Sequence, residues 1–232
     1  MIRISVLILA TFFSCALFSQ DTLNVTDGKG LRQGSWRKVD SAGRLIYTGR
    51  FVNGIPSGEF RYYYPDGKLK TVSFVSDHGK KAAVLSYFPG GRKMAAGNYL
   101  NEKKDSIWQF YSEITGSLVS QEFYRAGRID GPSEVFFSEG GLSEVYHYKN
   151  GTKEGLWEQY YLDGKLKLRG LYKEGEKQGP FKTFYNSGLP MMEGQYIQGH
   201  QQGTWTYYNE KGVVLKKELY ETGKLIKVYP PF

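Results

Sequence analysis

The sequence has very little cysteine and histidine, the residues that most often bind transition metals or act as nucleophile and base. It contains one cysteine, Cys15, and three histidines among 232 residues. A single thiol near the start of the chain excludes an internal disulfide and any site built from several thiolates. The histidines, His78, His147 and His200, are 69 and 53 residues apart, which places them in different repeat units. The composition therefore offers no recognisable metal site and no thiol chemistry.

Helical patterns and catalytic signatures are missing as well. After residue 20, no stretch repeats apolar residues at i, i+3, i+4 and i+7 over three turns, and glycine turns come too often for helices. The chain also lacks the Gly-x-Ser-x-Gly, His-Glu-x-x-His and phosphate-loop patterns. We therefore predict a repeat region without helices and a protein that is not an enzyme, with no catalytic residues, cofactor or metal.

What the sequence does contain is a glycine that returns every 24 residues. The set advances by 24 residues at each step except one of 25, with Ala82 and Ser106 filling two of its slots. A second set of glycines follows nine residues after the first. Self-similarity at a period of this length indicates a repeat protein whose units pack mainly on their neighbours. The first set consists of Gly34, Gly58, Gly131, Gly155, Gly179 and Gly203.

Each unit reads as two short strands joined by tight turns. A large residue two positions after the glycine, with another three positions further on, favours a half-buried strand. A turn such as Asp163-Gly164 follows, and a second short run ends at an aromatic residue. The first large residues are Trp36, Phe60, Val84, Trp108, Trp157, Phe181 and Trp205, with Ser133 as the exception.

These units predict the fold class. Eight hairpins give sixteen strands, and at about 4.8 Å per strand they make a sheet roughly 75 Å long. No helices are available to cover such a sheet, so both of its faces should remain partly exposed to solvent. We predict an all-β protein, an elongated, twisted, single-layer antiparallel sheet of tandem β-hairpins.

The units resemble a known repeat family. The clearest copy reads Gly155-Leu-Trp-Glu-Gln-Tyr-Tyr-Leu-Asp-Gly-Lys-Leu, followed by Gly170-Leu-Tyr-Lys-Glu-Gly. This pattern is similar to the bacterial variant of the MORN repeat, the membrane occupation and recognition nexus motif. The resemblance covers about residues 28–227 and is weakest in the third to fifth units, where Ala82, Ser106 and Ser133 replace the expected residues. It implies an elongated sheet of hairpins and a scaffolding role, and it implies no reaction.

The first twenty residues differ from the repeats. Arg3 precedes an apolar run from Ile4 to Phe18, a pattern that predicts a secretory signal peptide cleaved after Ser19 or Gln20. Two alternatives remain: a lipid-modified Cys15, or an uncleaved anchor, although the run is shorter than the roughly 20 residues that span a bilayer. We predict export to the periplasm, the outer envelope or the medium. The predicted divisions are a signal peptide (1–20), a lead-in segment (21–33), eight repeats (34–227) and a tail (228–232).

The charge and the aromatic residues suggest a binding role. The net charge is +8, spread over lysines and arginines in runs no longer than two. This spread fits either a solvated surface or weak attraction to anionic lipid, polysaccharide or an acidic protein. Strand alternation predicts that Tyr161, Tyr185 and Tyr207 form an exposed row, which we take as the candidate binding surface.

Two functions remain open from the sequence. The first is a non-catalytic exported scaffold that binds a protein, a glycan or a lipid of the cell envelope, with peripheral membrane contact possible and nucleic acid excluded. The alternative is an antitoxin-like or immunity-type inhibitor, a description that some bacterial relatives carry.

Overall fold

The computed structural model describes residues 22–230. These residues form one open antiparallel sheet of 20 strands, and no helix occurs among them. The predicted all-β sheet of hairpins is confirmed. The predicted signal peptide (1–20) and Cys15 lie outside the described residues. The strands are β1 (Val25–Thr26), β2 (Arg32–Val39), β3 (Leu45–Val52), β4 (Ile55–Pro56), β5 (Gly58–Tyr63), β6 (Leu69–Ser76), β7 (Lys81–Tyr87), β8 (Lys93–Leu100), β9 (Lys103–Tyr111), β10 (Leu118–Arg125), β11 (Arg128–Phe136), β12 (Leu142–Lys149), β13 (Thr152–Tyr160), β14 (Leu166–Lys173), β15 (Glu176–Lys177), β16 (Gly179–Phe184), β17 (Pro190–Ile197), β18 (His200–Tyr208), β19 (Val214–Glu221) and β20 (Lys224–Tyr229).

The strand count exceeds the sixteen expected from eight hairpins. Two strands are divided, at Ser57 between β4 and β5 and at Gln178 between β15 and β16, each just before a left-handed glycine. The two ends of the sheet add β1 and β20. Strand β20 continues to Tyr229, so it extends into the segment assigned to the tail.

The first set of glycines fixes the register between strands. Tyr148 pairs with Lys153 while Tyr146 pairs with Trp157, so β13 carries extra residues at Gly155, whose φ is 94°. This is a β-bulge, and its left-handed residue favours glycine because glycine has no Cβ to clash. Ser106 keeps the left-handed conformation with φ 60°. Ala82 does not, and the pairing of β6 with β7 is unbroken.

One face of the sheet holds the core and is called the ladder face here. It carries the large residue of each unit, and Phe60, Trp108, Trp157, Phe181 and Trp205 are buried, Trp205 completely. The rings contact one another along the sheet, as Phe181 does with Trp205 at 5.6 Å between centroids. Trp36 and Val84 are half-buried. Edge and tilted ring contacts of this kind add to the burial of apolar area.

A further set of glycines, which includes Gly170 of the repeat motif, lies under several of these rings. A Cβ on Gly194 would meet the Trp205 ring at 2.3 Å, and a Cβ on Gly97 would meet Trp108 at the same distance. Gly49 lies equally close under Phe60. Each of these three rings therefore occupies space that a glycine of the preceding unit leaves open, whereas Trp157 stacks on Tyr146 at the equivalent position.

Two aromatic residues fall on the other face. Phe74 pairs with Ala83, and Phe123 pairs with Ile107, so both point away from the ladder face. Both residues end the second run of their unit, as Tyr99 and Tyr148 do in theirs. A shift of one residue in a strand moves a side chain to the opposite face.

Candidate binding surfaces

The three histidines lie on different parts of the sheet: His78 in the turn after β6, His147 in β12 and His200 at the start of β18. The His147 Nδ1 atom lies 3.0 Å from the Leu156 carbonyl oxygen. Within residues 22–230, no three His, Cys, Asp or Glu side chains are placed to hold a metal ion. In the same range, no helix has the length and hydropathy to cross a membrane.

Several polar groups of the ladder face are satisfied by side chains of the same face. Glu144 accepts hydrogen bonds of 2.8 Å from Trp157 Nε1 and from Gln159 Nε2. Glu218 is buried and accepts hydrogen bonds from Lys216 Nζ at 2.7 Å and from the Tyr220 hydroxyl at 2.9 Å. The hydrogen bond from Lys216, followed by bonds from neighbouring tyrosine hydroxyls, lowers the pKa of Glu218. These carboxylates are therefore held ionised as acceptors within the sheet.

Cations also cover the rings of the ladder face. Lys104 Nζ lies 4.5 Å from the Trp108 ring centroid, and Lys153 Nζ lies 3.4 Å from that of Tyr146. Lys177 Nζ lies 5.0 Å from the centroid of Trp157. Such contacts contribute about 0.5–2 kcal/mol each. Part of the net positive charge thus packs on aromatic rings.

Trp205 lacks a hydrogen-bond acceptor for its indole N–H, whereas the equivalent Trp157 has one. Trp205 Nε1 and Thr183 Oγ1 are buried, and neither has a hydrogen-bond partner among the described residues. Trp157 finds Glu144, but 48 residues later the chain places Met192 at the equivalent position. Met192 pairs with Thr183, so both unpartnered groups lie beside this thioether side chain.

The opposite face carries a continuous line of side chains, called here the central row. Strand pairing connects one residue of the row per strand from β2 to β19, except that the two-residue strands β4 and β15 contribute none. Arg169 pairs with Glu158 at 2.7 Å, and Lys182 pairs with Glu193 at 2.8 Å. The row consists of Arg37, Thr48, Arg61, Val72, Leu85, Ala96, Gln109, Gln121, Glu134, Val145, Glu158, Arg169, Lys182, Glu193, Thr206 and Lys217.

The structure does not bring Tyr161, Tyr185 and Tyr207 into one row. The Tyr161 hydroxyl donates to the carbonyl oxygen of Phe184 at 2.6 Å, and that of Tyr185 donates to the carbonyl oxygen of Tyr208 at 2.8 Å. These two tyrosines are half-buried and tie the turn of one unit to the next. Tyr207 belongs to the ladder face, where it packs against the core. The expected single row fails because a bulge separates Tyr207 from Tyr208 in the pairing register.

The comparisons identify the repeat type. The MORN repeat variant family model matches residues 56–75, 153–174 and 201–222. These three segments are therefore similar to this repeat variant. No curated protein sequence matches the chain.

The solved structures that match the chain have low sequence identity and low TM-scores. The crystal structure of TarM is 12% identical over 51% of this chain and 21% of that chain, with a TM-score of 0.31. The structure of TcdB2-TccC3-TEV is 12% identical over 83% of this chain and 13% of that chain, with a TM-score of 0.23. The chain thus spans about a fifth or less of these proteins' length, and at such scores neither supports a functional argument.

Proposed function

Starting from a chain that carries MORN repeats, we propose that this protein is a non-catalytic exported scaffold whose sheet binds a partner in the cell envelope. MORN repeats are generally binding or scaffold modules. The structure contributes a long sheet on which neighbouring units present similar surfaces. Weak contacts repeated along such an array add up through avidity.

The observation that carries this proposal is the asymmetry between the two faces. The ladder face uses its lysines, tyrosines and carboxylates on one another. The opposite face exposes Phe74, Ile107 and Leu171 at 57%, 46% and 39%, in different units of the array. Exposed large apolar side chains with charged neighbours are typical of interaction surfaces. We therefore assign the partner to the opposite face.

Tyr161 and Tyr185 remain candidates at the margin of this surface. Their hydroxyls are engaged with carbonyl oxygens of the next unit, but both residues stay half-exposed. Any contribution from them would come from the ring faces. Tyr207 is unsuited to direct contact because it packs within the core cluster.

Cross-linking in envelope fractions tests the proposal. We would compare the wild-type protein with Ile107→Asp and Leu171→Asp, which place a charge on the opposite face at exposed positions. Ile114→Asp is the matched control, because Ile114 is 84% exposed in a turn. We expect recovery of the cross-linked partner to fall for the two face variants and to stay unchanged for the control.

A localised site would give a different result. His200 begins β18, next to the turn at Gly199, and its replacement by alanine should leave recovery unchanged. If His200→Ala abolished recovery while both face variants retained it, the scaffold proposal would be wrong.

A further inference from the structure

The central row of the opposite face changes character in the middle of the sheet. Its ends carry charges, from Arg37 and Arg61 on one side and from Glu134 onward on the other. Between Arg61 and Glu134 the row has five consecutive uncharged residues, Val72, Leu85, Ala96, Gln109 and Gln121. Four strand spacings of about 4.8 Å make this neutral stretch about 19 Å long.

A groove lies over this neutral stretch. Phe74 and Ile107 line its two sides, and the small side chains of Ala83 and Ala96 form its floor. Its volume is about 540 Å³, and it is a shallow depression that is broadly open to solvent. None of its twelve lining residues carries a formal charge. The groove coincides with the third unit, where Ala82 replaces the bulge glycine and Phe74 is shifted to this face.

Amide side chains give the groove directional polar groups. Gln109 Nε2 donates to Gln121 Oε1 at 3.1 Å, and Gln121 Nε2 donates to Glu134 at 3.2 Å. Each glutamine keeps a second N–H that this chain of bonds does not use. Asn98 also lines the groove, is exposed, and makes no side-chain hydrogen bond to another residue of the described range. The lining therefore combines apolar surface with unused amide donors and acceptors.

We propose that this groove binds a neutral oligosaccharide, an inference that rests on the proposed scaffold function and names its ligand class. A sugar ring presents an apolar C–H face, which can pack on the exposed Phe74 ring, and a rim of hydroxyls, which can pair with Asn98, Gln109 and Gln121. An apolar peptide helix would cover those amides without replacing their hydrogen bonds to water, at a cost of about 1–3 kcal/mol for each unsatisfied group. An anionic glycan would find no cation in the groove lining.

Titration calorimetry tests the inference with cellohexaose, chitohexaose and maltohexaose as probes. We expect at least one of them to bind, and we expect Phe74→Ala and Ala83→Trp to weaken that binding at least tenfold. The first variant removes the ring, and the second fills the floor at an exposed position. Ile114→Ala, in an exposed turn outside the groove, should leave affinity unchanged. Circular dichroism melts show whether each variant stays folded.

The outcomes separate this inference from the proposal on which it rests. If no neutral oligosaccharide binds, or if binding is unaffected by both groove variants, the inference is wrong. It is also wrong if only an anionic polysaccharide such as heparin binds. In either case, envelope cross-linking that depends on Leu171 would still support the scaffold function.

Discussion

Replacing Gly194 by alanine would test how closely neighbouring units pack. The added Cβ would lie 2.3 Å from Trp205 Cδ2 and 2.5 Å from Cε2, closer than non-bonded carbon atoms approach. Trp205 is completely buried, and it contacts Tyr196 and Phe181 at 5.1 and 5.6 Å between centroids. The ring has no free space to move into, so its neighbours must shift with it.

The size of the effect follows from this overpacking. Forcing an extra methyl group into a close-packed site costs about 1–3 kcal/mol. For a protein of this length, each kcal/mol shifts the melting temperature by about 2–4 °C. Gly194 does not have positive φ, so the loss would come from the clash. Urea titration and thermal melts, followed by circular dichroism, measure it.

A graded set of glycines provides the controls. A Cβ on Gly90 would meet nothing within 4 Å, and one on Gly170 would meet Phe181 at 3.1 Å. We expect Gly90→Ala to change stability by less than about 0.5 kcal/mol and Gly170→Ala to fall between the two. Equal stability of the Gly90 and Gly194 variants would refute the packing described for the ladder face.

Three further changes test the bulges, the unpartnered groups and the carboxylates. Ser106→Gly relieves a left-handed serine with φ 60° and should stabilise the folded protein by about 1 kcal/mol. Ala82→Gly should instead destabilise it by about 0.5–1 kcal/mol. A lower urea midpoint for Ser106→Gly than for Ala82→Gly would contradict the bulge assignment. Met192→Gln offers Trp205 Nε1 an acceptor and should melt higher than Met192→Ala; a lower melt would mean that the indole needs no partner. The folded pKa of Glu218 is lowered, so its contribution is complete above the unfolded value of about 4.3 and is lost as pH falls through the folded pKa. Glu218→Gln should therefore flatten the fall in stability between pH 6 and pH 3, and an unchanged slope would contradict this role.

Much of the fold could be predicted from the sequence because a repeated period exposes repeated physical constraints. The recurrence of Gly155, Gly179 and Gly203 marks backbone positions that need left-handed φ, and the Trp and Phe residues two positions later mark the packed face. Turn residues such as Asp163-Gly164 fix where each hairpin ends. These are local signals, and they are read from the chain without knowledge of its pairing.

The surfaces were harder to predict because they depend on register. Tyr207 resembles Tyr185 in a string of aromatic residues, but the bulge in each unit decides which face a side chain reaches. Phe74 ends its run as Tyr99 does and still points to the other face. The neutral stretch of the central row joins residues of five strands that are 11 to 13 positions apart in the sequence. The strand pairing in the structure is needed to show that these residues are neighbours.

The described residues form one open layer, and one of its faces is accessible to a partner. Small-angle X-ray scattering of the protein from residue 22 onward tests this claim most directly. Strands from β1 to β20 at about 4.8 Å spacing give a length of about 80 Å and a radius of gyration of about 23 Å or more. A compact domain of the same size would have a radius of gyration of about 17 Å. A monomer near 23 Å is the expected result, and a monomer near 17 Å would contradict the open sheet and the accessible face.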